Sequence, residues 1–257
     1  MTGDGGDERN KTPSYYVNFL FLSNMKKQII KYSFEFIVIM LGILISLFLE
    51  QRRQNSIEAE RKNNTIKQLV NVIEEDINQI DEFIYLQKYS LKSCNLIFEN
   101  IANKNSMAED SIVFHLSSVG RALRSFFPQE SIFNQLLNTD LIKMIESNRL
   151  KNKLFKLYNE DLRRHDVHTK EFDTFFLEFN RSLSENFFLQ DTWSSSPIDN
   201  NPIRISGYRF NEKYYRSTKL FSDIIESKSS IEQYLQELTA LKESFYELKD
   251  LCLEELN

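Results

Sequence analysis

Phe36 to Leu49 reads FIVIMLGILISLFL. These fourteen residues carry no charge, with Lys26, Lys27 and Lys31 before them and Arg52 and Arg53 after them. A core helix of a soluble domain needs neither that uniform apolarity nor those basic flanks, so the stretch predicts a membrane span. Extended back to Tyr32, it makes about 27 Å of helix at ~1.5 Å per residue. With Ile29 and Ile30 included and Lys31 snorkelling, it reaches about 31 Å, against a hydrocarbon core of ~30 Å. A cleaved signal peptide with KKQIIK as its basic region is the competing reading. Against it, the chain continues LFLEQRRQ without a small-x-small cleavage site. The expectation is an uncleaved signal anchor over 29–50, with a tail over 1–28 and a helical bundle domain over 51–257.

Four residues of this segment are candidates for membrane or association roles. Glu35 is a carboxylate inside the span, which marks a functional position by default. It also follows Lys31 by four residues, so a local ion pair at interfacial depth is the simpler reading. Gly42 and Ser46 form a small-xxx-small pair, a dimerisation signal weaker than G-x-x-x-G. Basic residues are evenly matched on the two sides, so charge alone does not orient the span. Met25-Lys26-Lys27 resembles a natural start and MTGDGGDERN does not resemble a targeting sequence. A short basic N-terminus stays in the cytoplasm, which puts the anchor in the inner (cytoplasmic) membrane and most of the chain outside the cytoplasm. Tyr15 to Leu22, YYVNFLFL, reads alternatively as an interfacial stretch.

Beyond the span roughly 205 residues remain, enough for one helical domain with a sizeable core. The net charge is -5, which gives no basic field for nucleic acid. Glycine (6) and proline (4) are scarce, and neither occurs between Gly42 and Gly120. Sheets of this size need more turn residues, so the fold class is all-α. Cys94 and Cys252 do not form a C-x-x-C zinc motif; they read as two small buried hydrophobes or as a disulfide between the first and last helices.

Apolar residues after the span follow a 4-3 spacing: Ile66, Val70, Ile73, Ile77, Ile80, Ile84, then Gln87, Leu91, Cys94, Phe98 and Ile101. Gln87 is the one polar member. This coiled-coil-like stripe predicts a long helix that continues from the span, with Asn63-Asn64 as the candidate bend. A second helix is expected over Ser111–Phe127, stopped by Pro128, and a short third over about Glu130–Leu137. Ser147-Asn148 starts a long one carrying Leu150, Leu154, Leu157, Leu162, His165, Phe172, Phe175, Phe176, Phe179 and Leu183. Asp191–Gly207 reads as the long loop, followed by a helix over about Asn211–Glu226. Ser229 with Glu232 reads as a capping box for a last helix. Long helices with one apolar stripe each predict an antiparallel bundle.

Lys31 to Arg53 and Ile132 to Tyr158, IFNQLLNTDLIKMIESNRLKNKLFKLY, resemble an uncharacterised bacterial family of single-span membrane proteins, a domain of unknown function. Tyr32, Glu35, Gly42, Ile43, Leu44 and Ile45 occupy its span positions. Phe133, Leu136, Leu141, Ile142, Ile145, Asn148, Leu150, Leu154 and Tyr158 match its second pattern. The family has Trp where this chain has Gln51-Arg52-Arg53, and Gly in the turn at Asn138 to Asp140. The resemblance implies an N-terminal anchor and a helical C-terminal domain, and no reaction.

His165-Asp166-Val167-His168 is the best metal candidate, since histidines at i and i+3 share a helix face and Asp161 and Glu171 flank them. A solvated helix turn is the simpler reading, with Arg163 and Arg164 alongside. Ser194-Ser195-Ser196 lacks a nucleophile-elbow context, and no phosphate-binding glycine loop occurs. Arg121, Arg124, Arg149, Arg163 and Arg164 read as a solvated face, or as contacts to lipid headgroups or an acidic partner. The expectation is a non-enzymatic, cofactor-free protein that meets membrane lipid and binds a protein partner or a second copy of itself, as an interaction or sensor module. The alternatives are a membrane-acting effector through oligomerised spans and a metal-binding or enzymatic bundle using His165 and His168.

Overall fold

The computed structural model describes residues 14–103, 106–193 and 203–256. MTGDGGDERN and Ser194-Ser195-Ser196, with Pro197 and Pro202, lie outside the described residues. The chain divides into two compact units, Met1–Glu58 and Ala59–Asn257. Helix α1, Ser14–Asn103, begins in the first and ends in the second, and stays helical through Asn63 and Asn64. Its start at Ser14 lies inside the segment expected as a tail.

The second unit is all-α apart from one small hairpin, as composition requires. The α1 stripe is its spine: Ile66, Val70, Ile73, Ile77, Ile80 and Cys94 are buried, and Ile84, Leu91, Phe98 and Ile101 pack at the margin. The last helix, α7 (Thr218–Leu256), runs antiparallel to it. Lys62 meets Glu255, Glu74 meets Lys249, Asp81 meets Lys242 and Phe98 stacks on Phe221, so numbers rise along one helix as they fall along the other. Gln87, the polar member of the stripe, is fully buried. Its Nε2 donates to the carbonyls of Ala122 and Arg124, both at 3.1 Å. A leucine there would remove both donated bonds.

Those two carbonyls explain the first departure from sequence expectation. Helix α2 is Glu109–Gly120, followed by a 3-10 turn over Arg121–Leu123; it does not reach Phe127. Backbone groups beyond the turn find partners outside a helix: Gln87 takes two carbonyls, and the Phe126 N–H donates to the Tyr234 hydroxyl at 2.8 Å. Helix α3 (Ser131–Asn138) ends near Asp140, whose φ of 59° is the left-handed conformation that glycine adopts most readily. Helix α4 (Asn148–Lys156) is capped by Ser147, whose Oγ accepts the Leu150 N–H. A π turn over Leu157–Asp161 joins it to α5 (Leu162–Phe187), so the expected long helix carries an irregularity at its centre.

Two further expectations fail. The loop at Asp191–Gly207 contains an antiparallel hairpin, β1 (Gln190–Trp193) with β2 (Ile203–Gly207). Ile203 is buried and the exposure of the following residues alternates, the period-2 pattern of a half-buried strand. After the short α6 (Glu212–Tyr215), α7 runs unbroken through Ser229, which therefore caps nothing. The N-terminal hydroxyl partner is Ser217, whose Oγ accepts the Leu220 N–H. Ile224, Ser227 and Ile231 continue the buried stripe across the expected break.

Cys94 and Cys252 are both buried and free. Cys94 lies against the Ile224 carbonyl, which is 28 residues before Cys252 on α7, or about 40 Å along the helix. The antiparallel register rules out a disulfide between them.

Candidate functional site

In the first unit, large apolar side chains from Ile29 to Leu49 are each 50–69% exposed. Among the described residues this is the one helix long and apolar enough to cross a membrane, with a mean hydropathy of 2.3 in its best window and none of that window buried. Lys31 Nζ lies 3.8 Å from Glu35 Oε1, both side chains more than half exposed. The Ser46 hydroxyl donates to the Gly42 carbonyl of its own helix at 2.9 Å, so it is already satisfied without a partner helix. A methyl group added at Gly42 meets nothing within 4 Å. The Gly42–Ser46 face is therefore smooth and open.

In the second unit, the i, i+3 histidines of α5 share a face, as their spacing requires, and both turn toward Glu237 of α7. His165 Nδ1 lies 2.9 Å from Glu237 Oε1, and His168 Nδ1 lies 3.3 Å from Oε2. One carboxylate thus bridges two imidazoles. His165 is buried, its ring stacked on Tyr234 and tilted against Phe126. Its Nε2 faces the Phe126 carbonyl and the Thr169 hydroxyl, both at 3.3 Å. Tyr234 accepts the Phe126 N–H, and burial pushes its phenol up. Nearby, Asp173 accepts from the Ser125 hydroxyl at 2.9 Å and is raised by its own burial.

This geometry does not make the alternative metal quartet. Among the described residues no three His, Cys, Asp or Glu side chains are placed to hold one ion. Both ring nitrogens of His165 are committed to the core, and Asp161 and Glu171 line different clefts on either side of His168. The cleft on the Glu171 side has a volume of about 200 Å³ and is walled by Glu171, Glu226, Glu237, Phe172, Phe175 and Tyr234. Carboxylates with aromatic rings favour a cation there over an anion. Arg121, expected on a solvated face, is 1% exposed and belongs to the core.

Glu237 is the member that sequence reasoning missed. It sits on the polar side of the α7 stripe with no local motif, and only the packing of α5 on α7 brings it to residues some seventy positions earlier. In comparisons with known proteins, no family model, no curated protein and no solved structure matches this chain.

Proposed function

We propose that this chain is a single-pass membrane protein of the inner membrane whose helical domain works by binding, to a protein partner or to a second copy of itself, rather than by catalysis. The observation that carries the reading is the contrast between the two units. Every large apolar side chain from Ile29 to Leu49 is at least half exposed, whereas the second unit closes its own core from Ile66 onward. Those sixteen residues left in water would be a severe aggregation hazard; in lipid they are satisfied. The likeness of Lys31–Arg53 and Ile132–Tyr158 to a family of single-span proteins supports the same layout. The even balance of basic flanks does not orient the span, so the side on which the domain lies is read from protease access.

The test is expression of the full chain, alkaline carbonate washing of membranes, and cross-linking within them. Retention in the washed pellet with Phe36–Leu49 intact, protease access to the second unit from outside, and a cross-linked species beyond the monomer are expected. Because Gly42 has open space around it, Gly42→Leu leaves the monomer intact while reducing cross-linking of paired spans. Release by carbonate, or a chain that begins after Leu49, overturns the anchor. Monomer alone, with no partner captured, overturns the binding role.

A further inference from the structure

Asp76 of α1 is fully buried, and only one of its oxygens is bonded. Oδ2 accepts the Gln129 N–H at 3.2 Å, while Oδ1 has no hydrogen-bond partner among the described residues. The hydroxyl of Tyr158, in the π turn, is buried and lacks a partner in the same way, and it feels the Asp76 charge. Two bare polar atoms in a packed core call for a reason, and π turns concentrate at functional positions. Across Asp76 lies segment 124–130, which no helix or strand includes. It is tied to α1 by hydrogen bonds from Phe127 N–H to Gln79, from Gln129 N–H to Asp76 and from Gln129 Nε2 to Glu75.

We infer that segment 124–130 is a proton-linked strap: it stays closed on α1 while Asp76 is neutral and opens more often, admitting water to Asp76 and Tyr158, when Asp76 is ionised. A neutral carboxyl loses little by burial, but a carboxylate whose donors come only from Gln129, with Oδ1 bare, forgoes most of its hydration. The surrounding groups do not compensate. Glu75 on α1 and Glu130 at the end of the strap are acidic, Tyr158 and Cys252 are buried and neutral, and Lys249 of α7 is paired with Glu74. Burial accordingly pushes Asp76 up to about 6 from 3.8. Folded, closed protein therefore binds the proton more tightly than open protein. Closure is strongest below the open-state value, weakens as pH rises from about 4, and levels off above about 6.

Cys252 lies by Tyr158 and Cys94 lies far along α1, so the native thiols report the strap and a distant control. The experiment is maleimide labelling of the full chain in detergent, wild type against Asp76→Asn at matched pH, so that intrinsic thiol reactivity cancels. From pH 4.5 to pH 7.5 the wild-type to variant labelling ratio at Cys252 rises about 3- to 25-fold, the range set by how far solvent screens the shift. The ratio at Cys94 stays constant. A flat ratio at Cys252, or an equal rise at Cys94, overturns the strap. Wild-type amide exchange gives a second measurement that needs no variant. After correction for intrinsic rates, the Phe127 and Gln129 amides lose protection over the same pH range relative to amides in the middle of α5, and unchanged relative protection also overturns it.

Discussion

Replacing Glu255 by alanine tests the joint where three chain segments meet. Glu255 is 3% exposed at its side chain and accepts three hydrogen bonds: from Lys62 Nζ at 2.8 Å, from the Glu146 N–H at 2.8 Å and from the Ser147 N–H at 3.0 Å. Ser147 caps α4, so one carboxylate ties α1 and the start of α4 to the end of α7. The variant leaves the Lys62 ammonium, 10% exposed, without its partner. Breaking a buried pair from one side costs about 3–5 kcal/mol, against a total stability of about 5–15 kcal/mol. Removing both charges, as Lys62→Met with Glu255→Met, takes away the stranded ammonium and recovers at least about 2 kcal/mol of that loss. Urea unfolding of the full chain in a non-ionic detergent, followed by far-UV circular dichroism, measures both. The pH dependence supplies an independent check. Burial alone would raise Glu255, but Lys62 and the two N–H donors outweigh it and hold it below its ordinary 4.5. Its contribution is therefore fully present above the unfolded value and is lost as pH falls through the lowered folded one, opposite in sign to Asp76. A loss below about 1 kcal/mol, or a double variant as unstable as Glu255→Ala, refutes the assignment of this cluster as a buried joint.

Gly120→Ala would drive a methyl group into Asn180, overlapping Oδ1 and lying 2.9 Å from Cγ, and would break the bond from Asn180 Nδ2 to the Gly120 carbonyl. A loss of about 1–3 kcal/mol is expected, and Asn180→Ala in the same chain removes most of the excess, a non-additivity read from a double-mutant cycle. Gln87→Leu removes both bonds to the Ala122 and Arg124 carbonyls and costs about 1–3 kcal/mol by urea unfolding, despite the gain in apolarity. Ser46→Ala leaves cross-linking in membranes within about twofold of wild type, because the hydroxyl is already bonded within its own helix; a large loss would show that it bonds across helices.

Periodicity carried most of the fold. The stripe from Ile66 to Ile101 on α1 and the one from Ile231 to Leu256 on α7 are visible as spacing, and antiparallel packing follows from burying both. What spacing did not show were breaks decided by partners distant in sequence. Helix α2 ends early because Gln87 and Tyr234 claim the backbone around Ala122 to Phe126. Ser229 and Glu232 have the letters of a capping box but sit on a stripe that continues through them, so local propensity lost to burial of Ile224 and Ile231. The histidine pair was legible and its bridging glutamate was not. An acid on the polar side of α7 carries no mark of its partner until α5 and α7 are packed together.

The buried polar residues of α1 do what the stripe alone cannot. An apolar seam fixes which face turns inward, yet it tolerates a neighbour sliding by a turn at modest cost. Asp76, Gln87, Ser90 and Asn100 project from that face at intervals along the helix. Each meets a specific group: the Gln129 N–H, the Ala122 and Arg124 carbonyls, the Ser118 carbonyl and the Tyr215 hydroxyl. A slip of one turn would strand all four at once, at about 1–3 kcal/mol apiece. Three of these contacts hold segment 117–130 and one holds α6. Helix α1 is thus both the apolar wall of the core and the ruler against which the neighbouring segments are set. Asp76 differs from the other three because it is the ionisable one, so the register it marks depends on a proton where theirs does not.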